Sequence, residues 1–510
     1  MLKQLYSSRL FLVIFSALIF PILFYQKPWG LNLFLFQVFW LISVFYLKQS
    51  SLNKFQKLLF IGAVIPVVFT FIHHTYLGFW VSIGSLYLLS LGLANSHFKS
   101  LHLLALSIVP SWLKSPLHYW DDLLNILRQI GAPVYYLKRG VIFLIPLLVI
   151  GLYFNLYANS NPTFGVLSAS VFACFESISN YLWSIIQTPV IAFFILGFSL
   201  AIPFFFAKPH LGLTEYDKSK NNQLKREKQQ YFSFKKMGLK HEYQMAIFLL
   251  AVLNFLLILL LIFEAKDVWF GFNWNGQYLK GFVHEGMSLL TISILVSIAV
   301  VLYFFRGNLN FFSKNLWLKR FSNIWLGLNM LLVFSVTFRN FLYIQYFSLA
   351  YGRIFLLFFL AATMFGLYSV YQKINKTRNT YYLWKVNSAF IYFLLVVSTM
   401  FNWDVIIAKY NFSSSSKGFL HLNYLTNLNS SALPHIIDDL SFLEEKNNLQ
   451  QSRLAESSSA YSAKYISPQE FKVIISEKKK VFTNQYASNH WLSWNYAEWR
   501  ANELLSIKQP

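Results

Sequence analysis

Long apolar runs alternate with short polar connectors over the first 404 residues. The runs are Leu10–Tyr25, Leu31–Leu47, Leu58–Ile72, Leu77–Ala94, Val141–Tyr157 and Pro189–Phe206. Tyr243–Phe263, Met287–Phe305, Ile324–Tyr343, Phe347–Tyr371 and Val386–Trp403 follow. A helix needs roughly 20 apolar residues to cross about 30 Å of hydrocarbon. Helices of soluble domains show shorter amphipathic segments instead, about 10 to 15 residues long. The pattern predicts an all-α polytopic transmembrane bundle of about eleven spans. Leu101–Leu113 is short for a crossing and carries Val109-Pro110-Ser111 near its end, which suits an interfacial or re-entrant piece. Leu10–Tyr25 follows Lys3 and Arg9 as a signal peptide would. No small-x-small cleavage site follows in Gln26-Lys27-Pro28-Trp29, so it is expected to remain as the first span.

The connectors carry the charge. With the N-terminus inside, Lys48, Lys54 and Lys57 fall inside, as do Arg306, Lys314, Lys319 and Arg320, then Lys373, Lys376 and Arg378. The Lys208–Glu242 connector, with nine Lys or Arg, also comes out inside if Leu101–Leu113 does not cross. Ala158–Thr188, free of Lys and Arg, comes out outside. An odd number of crossings then sends residues 405–510 outside, to the periplasm or its equivalent, and the membrane to the bacterial inner (cytoplasmic) membrane.

Two segments depart from simple spanning. Asn161-Pro162 offers an N-cap with proline at the first helical position. Phe164, Leu167, Val171, Phe175, Ile178, Leu182 and Ile185 then recur at helical steps, predicting an outer interfacial helix over 161–188. After Asp404 the chain turns polar. Ser413–Ser416 with Lys417-Gly418 reads as a flexible joint. Ser467-Pro468-Gln469-Glu470 is a capping box that predicts a helix to about Thr483. Trp491, Trp494, Tyr496 and Trp499 are expected to pack this small C-terminal helical domain rather than rest it on headgroups.

Composition narrows the function classes. The chain is 56% hydrophobic and 12% charged, against about 45–50% and about 25% in soluble proteins. The formal charge of +23 sits largely in the connectors, where sidedness explains it, so a nucleic-acid partner is not expected. Membrane lipids are the expected surroundings, with an extracytoplasmic protein partner meeting residues 405–510. One cysteine, Cys174, excludes an internal disulfide and a thiolate metal cluster. His284-Glu285-Gly286 lacks the second histidine of a zinc signature, and His97 and His102 fall on different helix faces. Neither a metal nor any other cofactor is expected.

The informative polar residues are those that lipid penalises. A charge within a span costs a few kcal/mol on insertion scales unless it pairs, snorkels or lines water. Arg339 and Asn340 lie inside the outer end of one predicted span, and Arg353 lies inside the next, with Tyr346 between them. Glu285 opens another span on that side, and Asn402 and Asp404 close the last. Glu285, Arg339, Asn340, Tyr346, Arg353, Asn402 and Asp404 are therefore the candidate site. One possibility is a set of structural ion pairs. The other is an anion site in which both arginines grip a carboxylate, phosphate or headgroup in bidentate fashion. Glu176, Glu264, Glu285 and Asp404 are the carboxylates near that boundary.

Phe282–Phe312 (FVHEGMSLLTISILVSIAVVLYFFRGNLNFF) and Arg339–Ile354 (RNFLYIQYFSLAYGRI) resemble an uncharacterised bacterial membrane family, the domain of unknown function 4173. Asn402–Asn411 (NWDVIIAKYN) and Leu420–Ile436 (LHLNYLTNLNSSALPHI) extend the likeness over roughly residues 240–440. The resemblance implies a bacterial multi-pass membrane protein and transfers no catalytic residue. Three function classes fit: a non-enzymatic cell-envelope or signalling component, a secondary transporter of an anionic solute, and a membrane-embedded transferase acting on lipid-linked substrates at the outer face. The first is favoured, because no internal repeat and no placed acid or base supports the others.

Overall fold

The computed structural model describes residues 2–48, 51–129, 144–161, 163–165, 189–226, 238–271, 286–413, 420–455 and 466–507. The described helices are α1 (Leu2–Phe24), α2 (Leu31–Leu47), α3 (Lys54–His73), α4 (Tyr76–Ala94), α5 (Leu101–Leu106) and α6 (Ile108–Gln129). They continue with α7 (Leu144–Ser160), α8 (Pro189–Phe205), α9 (Leu211–Ser219) and α10 (Leu239–Glu264), which runs on as a π-helix over Ala265–Phe270. Then come α11 (Gly286–Phe304), α12 (Leu316–Phe347), α13 (Tyr351–Asn375), α14 (Thr380–Thr399) and α15 (Trp403–Ser413). Last are α16 (Leu422–Leu425), α17 (Leu440–Ala455), α18 (Pro468–Ser488) and α19 (Tyr496–Ile507). Among the described residues there is no β-strand, only a bridge between Gln223 and Arg378.

Seven of these helices are long and apolar enough to cross a membrane: α3, α4, α10 with its π-helical extension, and α11 to α14. Four shorter apolar helices lie over Ser8–Phe24, Leu31–Leu47, Val149–Ala158 and Pro189–Phe205. The protein is a multi-pass, all-α membrane protein. Several helices outrun their apolar stretch. Ile324–Tyr343 is greasy, yet α12 starts at Leu316 and ends at Phe347. Hydropathy marks the part that suits hydrocarbon, while backbone hydrogen bonding carries the helix on into the connector.

Two cores lie side by side. One joins α1 to α5, α8 and part of α14, through residues such as Val13, Trp40, Leu89, Phe204 and Tyr392. The other joins α10 to α13, through Leu250, Ile294, Val336 and Leu367. α14 bridges them, with Tyr392 in the first core and Leu383 in the second. Gly62 lets α3 approach α14, since a Cβ there would lie 2.6 Å from the Tyr392 ring.

Connectors collect at two ends. At the basic end, Asn53 Nδ2 donates to Ser96 O (3.1 Å), and Lys373 Nζ donates to Phe305 O (2.8 Å). There too Asn379 N donates to Asn222 O (3.1 Å), and Arg306 pairs with Glu242 at 3.7 Å. Ser100, just before α5, is held there by Asp217, and near the end of α6 Asp122 feels the charges of Lys208 and Arg9. The Leu101–Leu113 region therefore falls on two helices, α5 and the start of α6, both tied to groups at this end. Of the expected 161–188 helix, Asn161 Oδ1 accepts from Thr163 N (2.9 Å) and Phe164 N (3.2 Å). Residues 166–188 lie outside those described, as does the joint at 414–418.

The opposite end carries the tail. A third core joins Ile407, Leu425, Leu433, Phe471, Ile475 and Leu505 with Ile354 of α13. The capping box forms: Glu470 N donates to Ser467 Oγ (3.2 Å) and Ser467 N to Glu470 Oε2 (3.0 Å). α18 runs to Ser488, five residues past Thr483. The tryptophan segment packs on the membrane bundle as well as on the tail. Leu31 N donates to Trp494 O (2.8 Å), and the Trp494 and Phe71 rings lie 5.4 Å apart. Trp491 remains exposed.

Candidate functional site

Glu264 is the last residue of α10 and is buried. Ser335 and Arg339 stand four apart on α12, on one helix face. Ser335 Oγ donates to Glu264 Oε2 (2.5 Å), as does Arg339 Nε (3.0 Å), and Arg339 Nη2 also donates to Glu264 Oε1. The guanidinium thus meets the carboxylate as a two-pronged fork, the strongest geometry open to this pair. Trp269 Nε1 donates to Ser335 Oγ (3.1 Å). Trp269 is five residues beyond Glu264, about 140° away on an ordinary α-helix, whereas the i→i+5 bonding of the π-helix returns it to the same side. Gly286 opens α11 against this pair, where a Cβ would lie 3.1 Å from Arg339 Nη1.

Next to the pair is the turn from α12 to α13. Ser348 has φ of 70°, a left-handed backbone that costs a residue with a Cβ free energy. Side chains hold the turn from several directions. Arg353 Nη1 donates to Phe347 O (2.5 Å), and its guanidinium sits 4.5 Å over the Tyr343 ring. Asn340 Nδ2 donates to Arg353 O (3.1 Å). From α15, Asn411 takes both backbone groups of Leu349: Leu349 N donates to Oδ1 (2.6 Å) and Nδ2 donates to Leu349 O (2.9 Å). Tyr351 N donates to Tyr424 OH (3.0 Å), and the Tyr351 hydroxyl bonds Asp404.

The remaining candidates stitch the tail to the bundle. Asp404 Oδ1 accepts from Asn429 N (3.2 Å), and Asn429 Nδ2 donates to His74 O (3.1 Å). Asn402 caps α15, with Val405 N donating to its Oδ1 (3.2 Å), and its Nδ2 reaches Ser431 Oγ (3.3 Å) and His73 O (3.4 Å). His74 Nδ1 lies 3.0 Å from Glu498 Oε1 on α19. Burial opposes ionisation of Glu498, but the hydrogen bond and charge of His74, aided by Asn495, hold its carboxyl below the usual range. His421 is pushed down to about 4, first by burial and then by the Arg353 charge.

The predicted residues thus separate into a ladder. Arg339 faces Glu264, Asn340 and Arg353 brace the turn, and Asn402 and Asp404 bind the tail. Tyr346 is half-buried against the α10–α13 core. Glu285 and Glu176 lie outside the described residues. Glu264 stood among the boundary carboxylates in sequence but apart from the cluster, because the apolar run ends at Phe263. Ser335, Trp269, Asn411, Tyr424 and His421 gave no signal, being ordinary polar residues whose partners are distant in the chain. Among the described residues, no three His, Cys, Asp or Glu side chains are grouped so as to hold a metal ion.

A family model for a domain of unknown function, DUF4153, matches residues 10–438. The chain belongs to the DUF4153 family. This replaces the resemblance to the domain of unknown function 4173, which rested on runs after about residue 240. The DUF4153 match takes in the first bundle as well, and it ends just after the Ser430–His435 segment that receives Asn402. No curated protein and no solved structure matches the chain.

Proposed function

We propose that this DUF4153 protein is a non-enzymatic component of the bacterial cell envelope, placed in the inner membrane. It crosses eleven times, with the N-terminus in the cytosol and the tail outside, where residues 405–507 present a surface to an extracytoplasmic partner. The observation that carries this reading is the use made of the polar ladder. Arg339, Asn340, Arg353, Asn402 and Asp404 are each spent on an internal partner, and the contacts weld α15 to α19 onto the ends of α2, α3 and α13. A tail so fixed moves with the bundle, which suits a rigid platform. The seven long apolar helices and four shorter ones support eleven crossings. The basic connectors at one end support the assigned orientation.

Two exposed serines test this arrangement in a Cys174→Ser background. Ser506→Cys in α19 reacts with a membrane-impermeant maleimide in osmotically opened but otherwise intact cells, and Ser219→Cys at the end of α9 reacts only once the inner membrane is broken. The opposite labelling overturns the topology. Turnover of a lipid-linked substrate by purified protein in vesicles, or solute flux that disappears with Arg353→Ala, would overturn the non-enzymatic, non-transporting role.

A further inference from the structure

At the end of the bundle opposite the tail, an open cavity of about 520 Å³ is lined by Lys54, His97, Lys99, Lys218 and Lys385, with Asn53 at its edge. The lysines come from four separate elements: the first turn of α3, the connector from α4 to α5, the last turn of α9 and the second turn of α14. Among the described residues, none of the four ammonium groups is in an ion pair, and no carboxylate lines the cavity. The nearest acid in sequence, Asp217, is buried and already saturated. It accepts from Lys99 N (2.6 Å), Ser100 N (3.1 Å), Ser100 Oγ (2.7 Å) and the Tyr381 hydroxyl (2.5 Å).

Asp217 thereby ties α9, the α4–α5 connector and α14 into one frame, which holds Lys99, Lys218 and Lys385 around one space. Asn53 completes it, donating to Ser96 O (3.1 Å) while capping α3. The first turn of α3 adds the positive end of a helix dipole. Sidedness alone explains lysines in a connector, but not four of them gathered around one braced hollow without a counter-charge. We propose that this cavity binds a phosphate-bearing anion. Lysines serve phosphate as point charges, and the volume falls within the roughly 300–1,000 Å³ of small-molecule sites, room for a phosphate with an organic group attached. A phospholipid headgroup and a soluble phosphate ester share this chemistry.

Full-length protein in lipid nanodiscs provides the test, with pyrophosphate as the soluble probe and phosphatidic acid in phosphatidylcholine as the lipid probe. Binding of at least one probe is expected to saturate and to weaken with rising salt. Lys99→Gln, Lys218→Gln and Lys385→Gln are each expected to weaken it by roughly fivefold, whereas Lys218→Arg retains it. Lys220→Gln and Lys225→Gln, equal in charge change but outside the cavity, leave affinity within twofold. Pyrophosphate binding alone identifies a soluble ester as the ligand class; phosphatidic acid binding alone identifies a headgroup. Saturation by neither probe at millimolar concentration, or equal losses from the control lysines, overturns the site. Gel filtration of each variant verifies folding, and because the three substituted lysines sit on three different elements, a misfolded variant leaves the other two decisive.

Discussion

Arg339 and Glu264 face each other in a place where neither charge has water to fall back on, both side chains being about 5% exposed or less. Removing one partner takes the facing counter-charge from the other while it stays buried, which costs about 3–5 kcal/mol in buried pairs. Arg339→Met strips Glu264 of both guanidinium bonds and leaves it only the Ser335 hydroxyl. Glu264→Gln leaves the guanidinium facing a neutral amide. Removing both charges together, as Glu264→Gln with Arg339→Met, is far milder, because two apolar or neutral groups need no counter-ion. A double-mutant cycle should then show a coupling of roughly 2–4 kcal/mol. Unfolding in mixed micelles under increasing SDS, followed by tryptophan fluorescence, measures all four proteins on one scale. Single variants that each cost under about 0.5 kcal/mol, or a double variant equal to their sum, would refute the pairing as a structural bond.

Further predictions concern the tail. Asn411→Ala removes both bonds to Leu349 and should cost about 1–3 kcal/mol, read as faster proteolysis between residues 403 and 507; unchanged protection contradicts the turn clamp. Gly30→Val drives a Cβ into the Ser493 carbonyl, so trypsin cleavage at Arg500 should rise sharply, and wild-type protection would show that the tryptophan segment does not rest there. Acid should loosen the same region. His421 titrates near 4 when folded and near 6.5 when unfolded, so its contribution is complete above about 6.5 and is lost as pH falls towards 4, on the order of 3 kcal/mol at most. The lowered Glu498 carboxyl acts in the same direction below its ordinary value near 4.5. Protection factors for amide exchange over residues 420–436, taken relative to the intrinsic rate at each pH, should fall between pH 7 and 4.5, and His421→Leu should flatten that response.

How much of this was legible in the chain depends on the range of the interaction. Spans are written locally, since an apolar run of adequate length has few alternatives in lipid. The Ser467–Glu470 box and the Asn161 cap are equally local, and both form. The candidate residues were found because charge inside a span stands out. Their partners were not, because Glu264 and Arg339 are 75 residues apart and a π-turn sets which side chains face them. Asn411 and Leu349 are 62 apart, and nothing in either sequence neighbourhood marks the pair. The basic cavity was invisible for a further reason. Each of its lysines sits in a connector where sidedness already accounts for a positive charge, so only their convergence carries information.

That contrast bears on where a ligand is to be sought. For an anion to be gripped by Arg339, Glu264 must leave the guanidinium, and the displaced carboxylate would remain beside the incoming negative charge. The ligand would need to offset a loss of about 3–5 kcal/mol before it gained any affinity. Arg353 presents a similar difficulty on a smaller scale, since releasing Phe347 O frees one anchor of a turn that already holds Ser348 at positive φ. At the basic end, among the described residues, no ion pair has to break first. Lys99 Nζ makes one long contact, 3.4 Å to Lys218 O, and the ammonium groups around it are already gathered. An anion arriving there exchanges water and mutual repulsion among lysines for direct contact, whereas one arriving at the tail end must dismantle the joint that holds the tail in place.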